Sequence, residues 1–163
     1  TTLVNALKEL EQFKGYKFAT ERSQHLMSLG IPLNTDSTLK GQTVFLAERC
    51  GELMYDDIIT DRTILDVMAF TLNAKSIPHQ DKDAFEVYAS EFIREYDYIF
   101  YISPHGIEIE DNGIRETDEH YRDLIDFTIT TLIKRHGHKA GKIEKISGST
   151  EERIQQILNI TSL

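Results

Sequence analysis

The chain alternates between short runs of β-branched and aromatic residues and longer runs with apolar residues at helical spacing. The short runs predict strands over 16–20, 56–62, 96–103 and 142–147. The longer runs predict helices over 1–13, 38–55, 63–74, 81–96, 117–137 and 149–160. Because strands separated by helices are typical of βαβ units, we expect an α/β fold. Its parallel, doubly wound sheet would have helices on both faces, in three layers.

The predicted helices carry recognisable end signals. Gly137 is a stop signal for the helix that precedes it. Ser149 or Thr150, followed by Glu151 and Glu152, is typical of a capping box at the start of the last helix. No repeat, low-complexity tract or linker interrupts the pattern, so we expect a single domain over residues 1–163.

Charge and composition narrow the function classes. The net charge is −9, which disfavours a protein that grips nucleic acid along its phosphates, since Lys and Arg drive such binding. A small anionic substrate in a local basic pocket remains compatible with that charge. The sequence contains one cysteine, Cys50, which excludes an internal disulfide and fits a reducing compartment. No apolar run approaches the roughly 18 residues of a membrane span, so we expect no membrane insertion and a cytoplasmic protein.

Charged residues follow the ends of two predicted strands. Thr-Glu-Arg at 20–22 follows the first, and Asp61 with Arg62 follows the second. In open α/β sheets the carboxyl ends of the strands face the ligand crevice. A carboxylate there can orient a hydroxyl and take its proton, and an arginine can contact phosphate. The alternatives are a solvated helix start at Glu21 and Arg22 and a structural ion pair at Asp61 and Arg62.

Thr1, Thr2 and Leu3 before a helix look like the tail of a phosphate-binding GxxxxGK[ST] loop. Five further segments follow in order: TER at 20–22, GQTVFLAERCGEL at 41–53, ITDRT at 59–63, IEDNGIRETDEHYRDLID at 109–126 and KIEKISGSTEERIQQIL at 142–158. Together these six segments resemble P-loop nucleoside and nucleotide kinases, the AAA-type ATPase group of ribosylnicotinamide and thymidylate kinase-like enzymes.

The resemblance implies a role for each of these segments. It makes Glu21 the catalytic base, alone or with Asp61, and Arg62, Arg115 and Arg122 phosphate contacts. It assigns Thr1, Thr2 and Gly148 to nucleotide binding, Thr1 also to Mg²⁺, and Arg22 and Gln42 to the acceptor substrate. Gly148 as a simple turn, and Arg115 and Arg122 as ordinary surface, are the alternatives.

The resemblance also implies a P-loop fold with a helical lid over about 104–122, and Mg²⁺ with ATP, or GTP instead, as cofactors. A strand and a glycine-rich loop ending in Gly-Lys are expected before Thr1. The implied function is an ATP-dependent kinase acting on a nucleoside, a nucleotide or a related ribosyl small molecule. The alternatives are a GTP- or ATP-binding module with little turnover and a kinase acting on nucleic-acid bases or ends. The oligomeric state is left open, with a homodimer among the alternatives.

Overall fold

The structure is a computed structural model that describes residues 2–20, 23–104 and 119–163. Seven α-helices in these ranges are Thr2–Lys8 (α1), Ser23–Ser28 (α2), Leu39–Glu52 (α3), Ile64–Asn73 (α4), His79–Ser90 (α5), Glu119–His136 (α6) and Thr150–Thr161 (α7). Four strands are Lys17–Ala19 (β1), Ile58–Thr60 (β2), Tyr98–Tyr101 (β3) and Lys142–Lys145 (β4). Each predicted strand therefore exists, shortened to three or four residues.

The strands form two separate sheets rather than one. β1 pairs in parallel with β2, with Phe18 opposite Ile59, and β3 pairs in parallel with β4, with Ile99 opposite Ile143. The prediction of a three-layer P-loop fold with one doubly wound sheet is wrong, because no strand ladder in the described ranges joins the two pairs. Periodicity located the strands, but it carries no information on which strands pair.

Two apolar clusters lie on either side of β3. Ile99 belongs to a large cluster built mainly from α4, α5 and α6, whereas its neighbour Phe100 packs against a smaller cluster of α1 and α7. Successive side chains of a strand point to opposite faces, so this division follows directly from the alternation along β3. Phe18 and Ile59, paired across the first sheet, also pack against the smaller cluster.

Helix α4 is the centre of the larger cluster. Ile64, Met68 and Ala69 are completely buried, and α3, α5 and α6 all pack against this helix. The buried Thr71 donates its hydroxyl to the carbonyl of Val67 at 2.8 Å, so its polar atom is satisfied inside the core. A helix whose residues are mostly apolar and buried is typical of such a central position.

Polar contacts fix α6 against its neighbours. Asn73 at the end of α4 donates to the hydroxyl of Thr128 at 2.9 Å. The buried Glu86 of α5 contacts Arg135 at 2.5 Å and His136 at 2.7 Å. Burial alone would raise the pKa of Glu86, but the hydrogen bonds from His136 and Arg135 outweigh it and lower the pKa. Among the described helices, none is both long and apolar enough to span a membrane.

Candidate functional site

The connection from β2 to α4 carries the charged pair that the sequence singled out. Asp61 continues the first sheet by one residue, since its N–H donates to the carbonyl of Ala19 at 2.8 Å. The residue is half-exposed, and Arg62 beside it is exposed. The structure therefore places both residues at the carboxyl end of a parallel strand, as expected.

Arg62 has a backbone conformation that is unusual for its residue type. Its φ is 88°, in the region that favours glycine and costs other residues of the order of 1–3 kcal/mol. The surrounding contacts hold it there: the Thr60 hydroxyl donates to the Arg62 carbonyl at 2.9 Å, and the Arg62 guanidinium donates to Asp66 at 3.1 Å. Strained residues of this kind concentrate at functional sites.

A capping box fixes the next residues of the connection. The N–H of Thr63 donates to the carboxylate of Asp66 at 2.8 Å, and the Thr63 hydroxyl accepts from the N–H of Leu65 at 3.2 Å. These bonds satisfy backbone donors that the first turn of a helix leaves without intrahelical partners. Asp66 thus serves two purposes, because it caps α4 and also holds the guanidinium of Arg62.

Two side chains from distant segments reach the same connection from inside. Arg49 of α3 is buried, donates to the carbonyl of Asp61 at 3.2 Å and lies 3.0 Å from the carboxylate of Glu52. The Glu52 contact is a close ion pair rather than an aligned hydrogen bond. The hydroxyl of Tyr96 accepts from the N–H of Ile64 at 3.2 Å, and burial raises the pKa of Tyr96 above its ordinary value. Side chains or backbone partners therefore hold every residue from Asp61 to Ile64.

A second polar contact lies at the carboxyl end of β3. Tyr101 donates its hydroxyl to Asp126 of α6 at 2.6 Å. Burial, followed by the bond to Asp126, raises the pKa of Tyr101 to about 12. Arg122 lies one turn before Asp126, is half-buried and approaches Asp123 at 3.9 Å. Arg122 therefore lies one helical turn from the residue of α6 that bonds Tyr101.

The connection from β4 to α7 contains Gly148. Its φ is 96°, and a Cβ there would meet the Glu152 carboxylate at 2.2 Å. Glu152 and Ser149 form the predicted capping box, which is confirmed. The positive φ explains why glycine is favoured here, while nucleotide binding at Gly148 stays a prediction. The surface along this connection and the start of α7 is a shallow, open depression.

Other predicted residues are not brought to the β2 end. Gln42 is buried near the start of α3, and Arg49, two helical turns further along, is the α3 residue that reaches Asp61. Thr2 is the exposed first residue of the seven-residue α1. Thr1, Glu21, Arg22 and Arg115 lie outside the described residues, as does most of the predicted lid.

Sequence reasoning missed the residues that support the connection. Asp66 had a readable signal, because Thr63 followed three residues later by an acidic residue is the capping-box pattern. Arg49 had a weaker one: it shares one face of α3 with Gln42 and Leu46, which are both buried. The contacts of Tyr96 and Tyr101 join residues 25 or more positions apart and had no local signal.

Within the described ranges, no group of three or more His, Cys, Asp or Glu side chains is placed to hold a metal ion. Comparisons of the chain with protein-family models, with curated proteins and with solved structures found no match. The functional assignment therefore rests on the residues of the β2–α4 connection and on the resemblance of the sequence motifs.

Proposed function

We propose that the protein is an ATP-dependent phosphotransferase acting on a nucleoside, a nucleotide or a related ribosyl small molecule. One observation carries the proposal: Arg62 is held in a strained conformation beside Asp61, at the carboxyl end of a parallel strand. A structural ion pair alone would not require that backbone strain, because an arginine in an ordinary conformation can make the same kind of pair.

The chemistry of the two side chains suits phosphoryl transfer, which depends on positioning and on cations around the moving phosphoryl group. In this proposal Asp61 orients the acceptor hydroxyl and takes its proton, alone or together with Glu21. Arg62 contacts phosphate oxygens, and the strong cap of α4 keeps its backbone fixed while it does so. Arg122 of α6, one helical turn from Asp126, is a second candidate phosphate contact.

The cofactors of the proposal are Mg²⁺ and ATP, with GTP as the alternative nucleotide. When bound, they supply the transferable phosphoryl group and neutralise its charge. Thr1, the predicted Mg²⁺ ligand, lies outside the described residues. A cytoplasmic location belongs to the same proposal, since the lone Cys50 is a free thiol. The proposal depends on the strand-end residues and does not require a continuous sheet.

A phosphate-transfer assay on the full-length natural protein tests the proposal. MgATP labelled in its terminal phosphate is offered with a panel of nucleosides, nucleotides and ribosyl compounds. We expect transfer to at least one acceptor, and we expect Asp61→Asn to reduce turnover by about 10²–10⁴-fold, the usual effect of losing a positioned base.

Asp57→Asn is the matched control, because Asp57 is an exposed carboxylate just before the amino end of β2. Its turnover should stay within about twofold of the parent, since that end of the strand is away from the proposed site. Nucleotide hydrolysis without transfer to any acceptor would replace the kinase by a nucleotide-binding module. Full activity of Asp61→Asn would overturn the assignment of this site.

A further inference from the structure

The outward face of α6 presents an apolar ridge, which we define as Leu124, Phe127, Thr130 and Thr131. Phe127 is 69% exposed and Leu124 is 46% exposed, although both are large apolar side chains. Positions three and four apart share one face of a helix, so the four side chains form one continuous strip. Exposed apolar strips with polar ends are characteristic of interaction surfaces.

The two threonines make the ridge more apolar than its sequence indicates. The hydroxyls of Thr130 and Thr131 both donate to the carbonyl of Phe127, at 2.9 and 2.8 Å. The donor of each hydroxyl is thus used within the helix. What remains for a partner is the two methyl groups and the acceptor lone pairs of the hydroxyl oxygens.

The opposite face of α6 is firmly held, so the ridge is displayed on a fixed helix. Ile125 and Leu132 are buried in the larger cluster, and Thr128 is bonded to Asn73 of α4. His136 at the end of the helix is bonded to the buried Glu86. A partner that binds the ridge therefore meets a surface that needs little ordering, which reduces the entropic cost of association.

The charges at the two ends of the ridge are opposite. Glu119 and Asp123 are exposed before it, and Lys134 is exposed after it, next to Arg135, which is paired with Glu86 of the same chain. Two copies of α6 placed antiparallel would bring the acidic end of each against the basic end of the other. The helix macrodipoles would also be opposed in that arrangement, which is favourable. The strip is therefore complementary in charge to itself under a two-fold axis.

We propose that the protein forms a two-fold symmetric homodimer through the ridge of α6. Phe127 of one copy packs on Thr130 and Thr131 of the other, and Asp123 of each copy lies close to Lys134 of the other. Such an interface is isologous, so each contact occurs twice. A helix of 18 residues is only about 27 Å long, so the interface is small and the dimer is weak, with a dissociation constant in the micromolar range.

Sedimentation velocity of the full-length protein, over about 5–500 µM, measures the dimer directly. We expect a concentration-dependent shift from monomer to dimer, and we expect Phe127→Asp to weaken the dimer by more than about tenfold. Val87→Asp on α5 is the matched control, since Val87 is 67% exposed and lies off the ridge. A monomer at every concentration, or equal dimerisation of both variants, would overturn the proposal.

Charge exchange tests the antiparallel orientation independently of folding defects. Asp123→Lys alone and Lys134→Glu alone each place like charges together twice, so neither variant should dimerise. A mixture of the two should form a heterodimer, because both contacts then pair opposite charges, and the double variant should dimerise again. Mixtures that stay monomeric while the parent dimerises would rule out this orientation. These outcomes are independent of whether the protein transfers phosphate.

Discussion

Two strand-to-helix connections of this molecule use the same local device in different surroundings. The β2–α4 connection has a capping box of Thr63 and Asp66, and the β4–α7 connection has one of Ser149 and Glu152. The β4–α7 connection is held by residues close to it in the chain: Gln156 of α7 accepts from the N–H of Ser147 and donates to its carbonyl. The β2–α4 connection is also bonded by two side chains from distant segments, Arg49 and Tyr96.

The difference shows where a backbone strain can be maintained. The β4–α7 connection uses glycine at its positive-φ position, so the backbone there needs no support. The β2–α4 connection has Arg62 at its positive-φ position, and distant side chains fix the residues around it. A non-glycine residue persists in this conformation only where its surroundings hold it, and the contacts around Arg62 meet that requirement.

Of the changes considered, removal of Arg49 should lower the free energy of unfolding the most. Arg49→Met leaves the carboxylate of Glu52 buried without its cation, and breaking a buried ion pair costs about 3–5 kcal/mol. Urea unfolding followed by circular dichroism measures the change in the free energy of unfolding. Arg94→Met, which removes an exposed arginine paired with Glu91, is the control and should change stability by less than about 1 kcal/mol.

The double variant Arg49→Met with Glu52→Leu sharpens the result. It removes both charges, so most of the stability lost in Arg49→Met should return. If the double variant is as unstable as the single one, the ion pair is not the cause of the loss. The role of Arg49 would then lie in its bond to the Asp61 carbonyl.

Tyr96→Phe should lower the free energy of unfolding by an intermediate amount. The change keeps the ring in the core but removes the oxygen that accepts from the N–H of Ile64, leaving a buried donor without that partner. We expect a loss of about 1–3 kcal/mol in the free energy of unfolding. Tyr88→Phe is the control because Tyr88 is 63% exposed, and a comparable loss there would remove the distinction between buried and exposed hydroxyls.

Removing the capping hydroxyl of either connection should lower the free energy of unfolding by smaller, similar amounts. Thr63→Ala and Ser149→Ala each remove one capping hydroxyl, at about 0.5–2 kcal/mol. The loss for Thr63→Ala should lie at the upper end of this range. Asp66, which also pairs with Arg62, then loses its bond from the Thr63 hydroxyl. Equal losses in thermal or urea unfolding would mean that the two connections are supported alike.

Local patterns in the sequence accounted for much of the secondary structure. All four strands were located, and the last capping box was assigned correctly, because both depend on residues close together in the chain. The 81–96 segment was predicted as one helix, whereas α5 ends at Ser90 and a 3₁₀ turn follows. The single sheet was wrong because strand pairing depends on contacts between residues far apart in the sequence.

For the candidate site, too, the local features could be predicted from the sequence and the long-range contacts could not. Asp61 and Arg62 were identified by their position after a β-branched run, and the structure places them at a strand end. The strain at Arg62 and the support from Arg49 could not be read from the sequence. Both arise from how α3 packs against the β2–α4 connection, which no spacing of residue types specifies.

The central claim is that Arg62 is kept in a strained conformation for binding phosphate, and Arg62→Gly tests it most directly. Glycine relieves the backbone strain, while greater freedom in the unfolded chain and the loss of the exposed pair with Asp66 offset part of the gain. We predict a free energy of unfolding equal to that of the parent or higher by about 0.5–1 kcal/mol. The affinity for MgATP, measured by titration calorimetry on the full-length protein, should fall by about tenfold or more, the usual scale for a charge-assisted hydrogen bond. Unchanged MgATP affinity, or a loss of stability as large as that of Arg49→Met, would contradict the account.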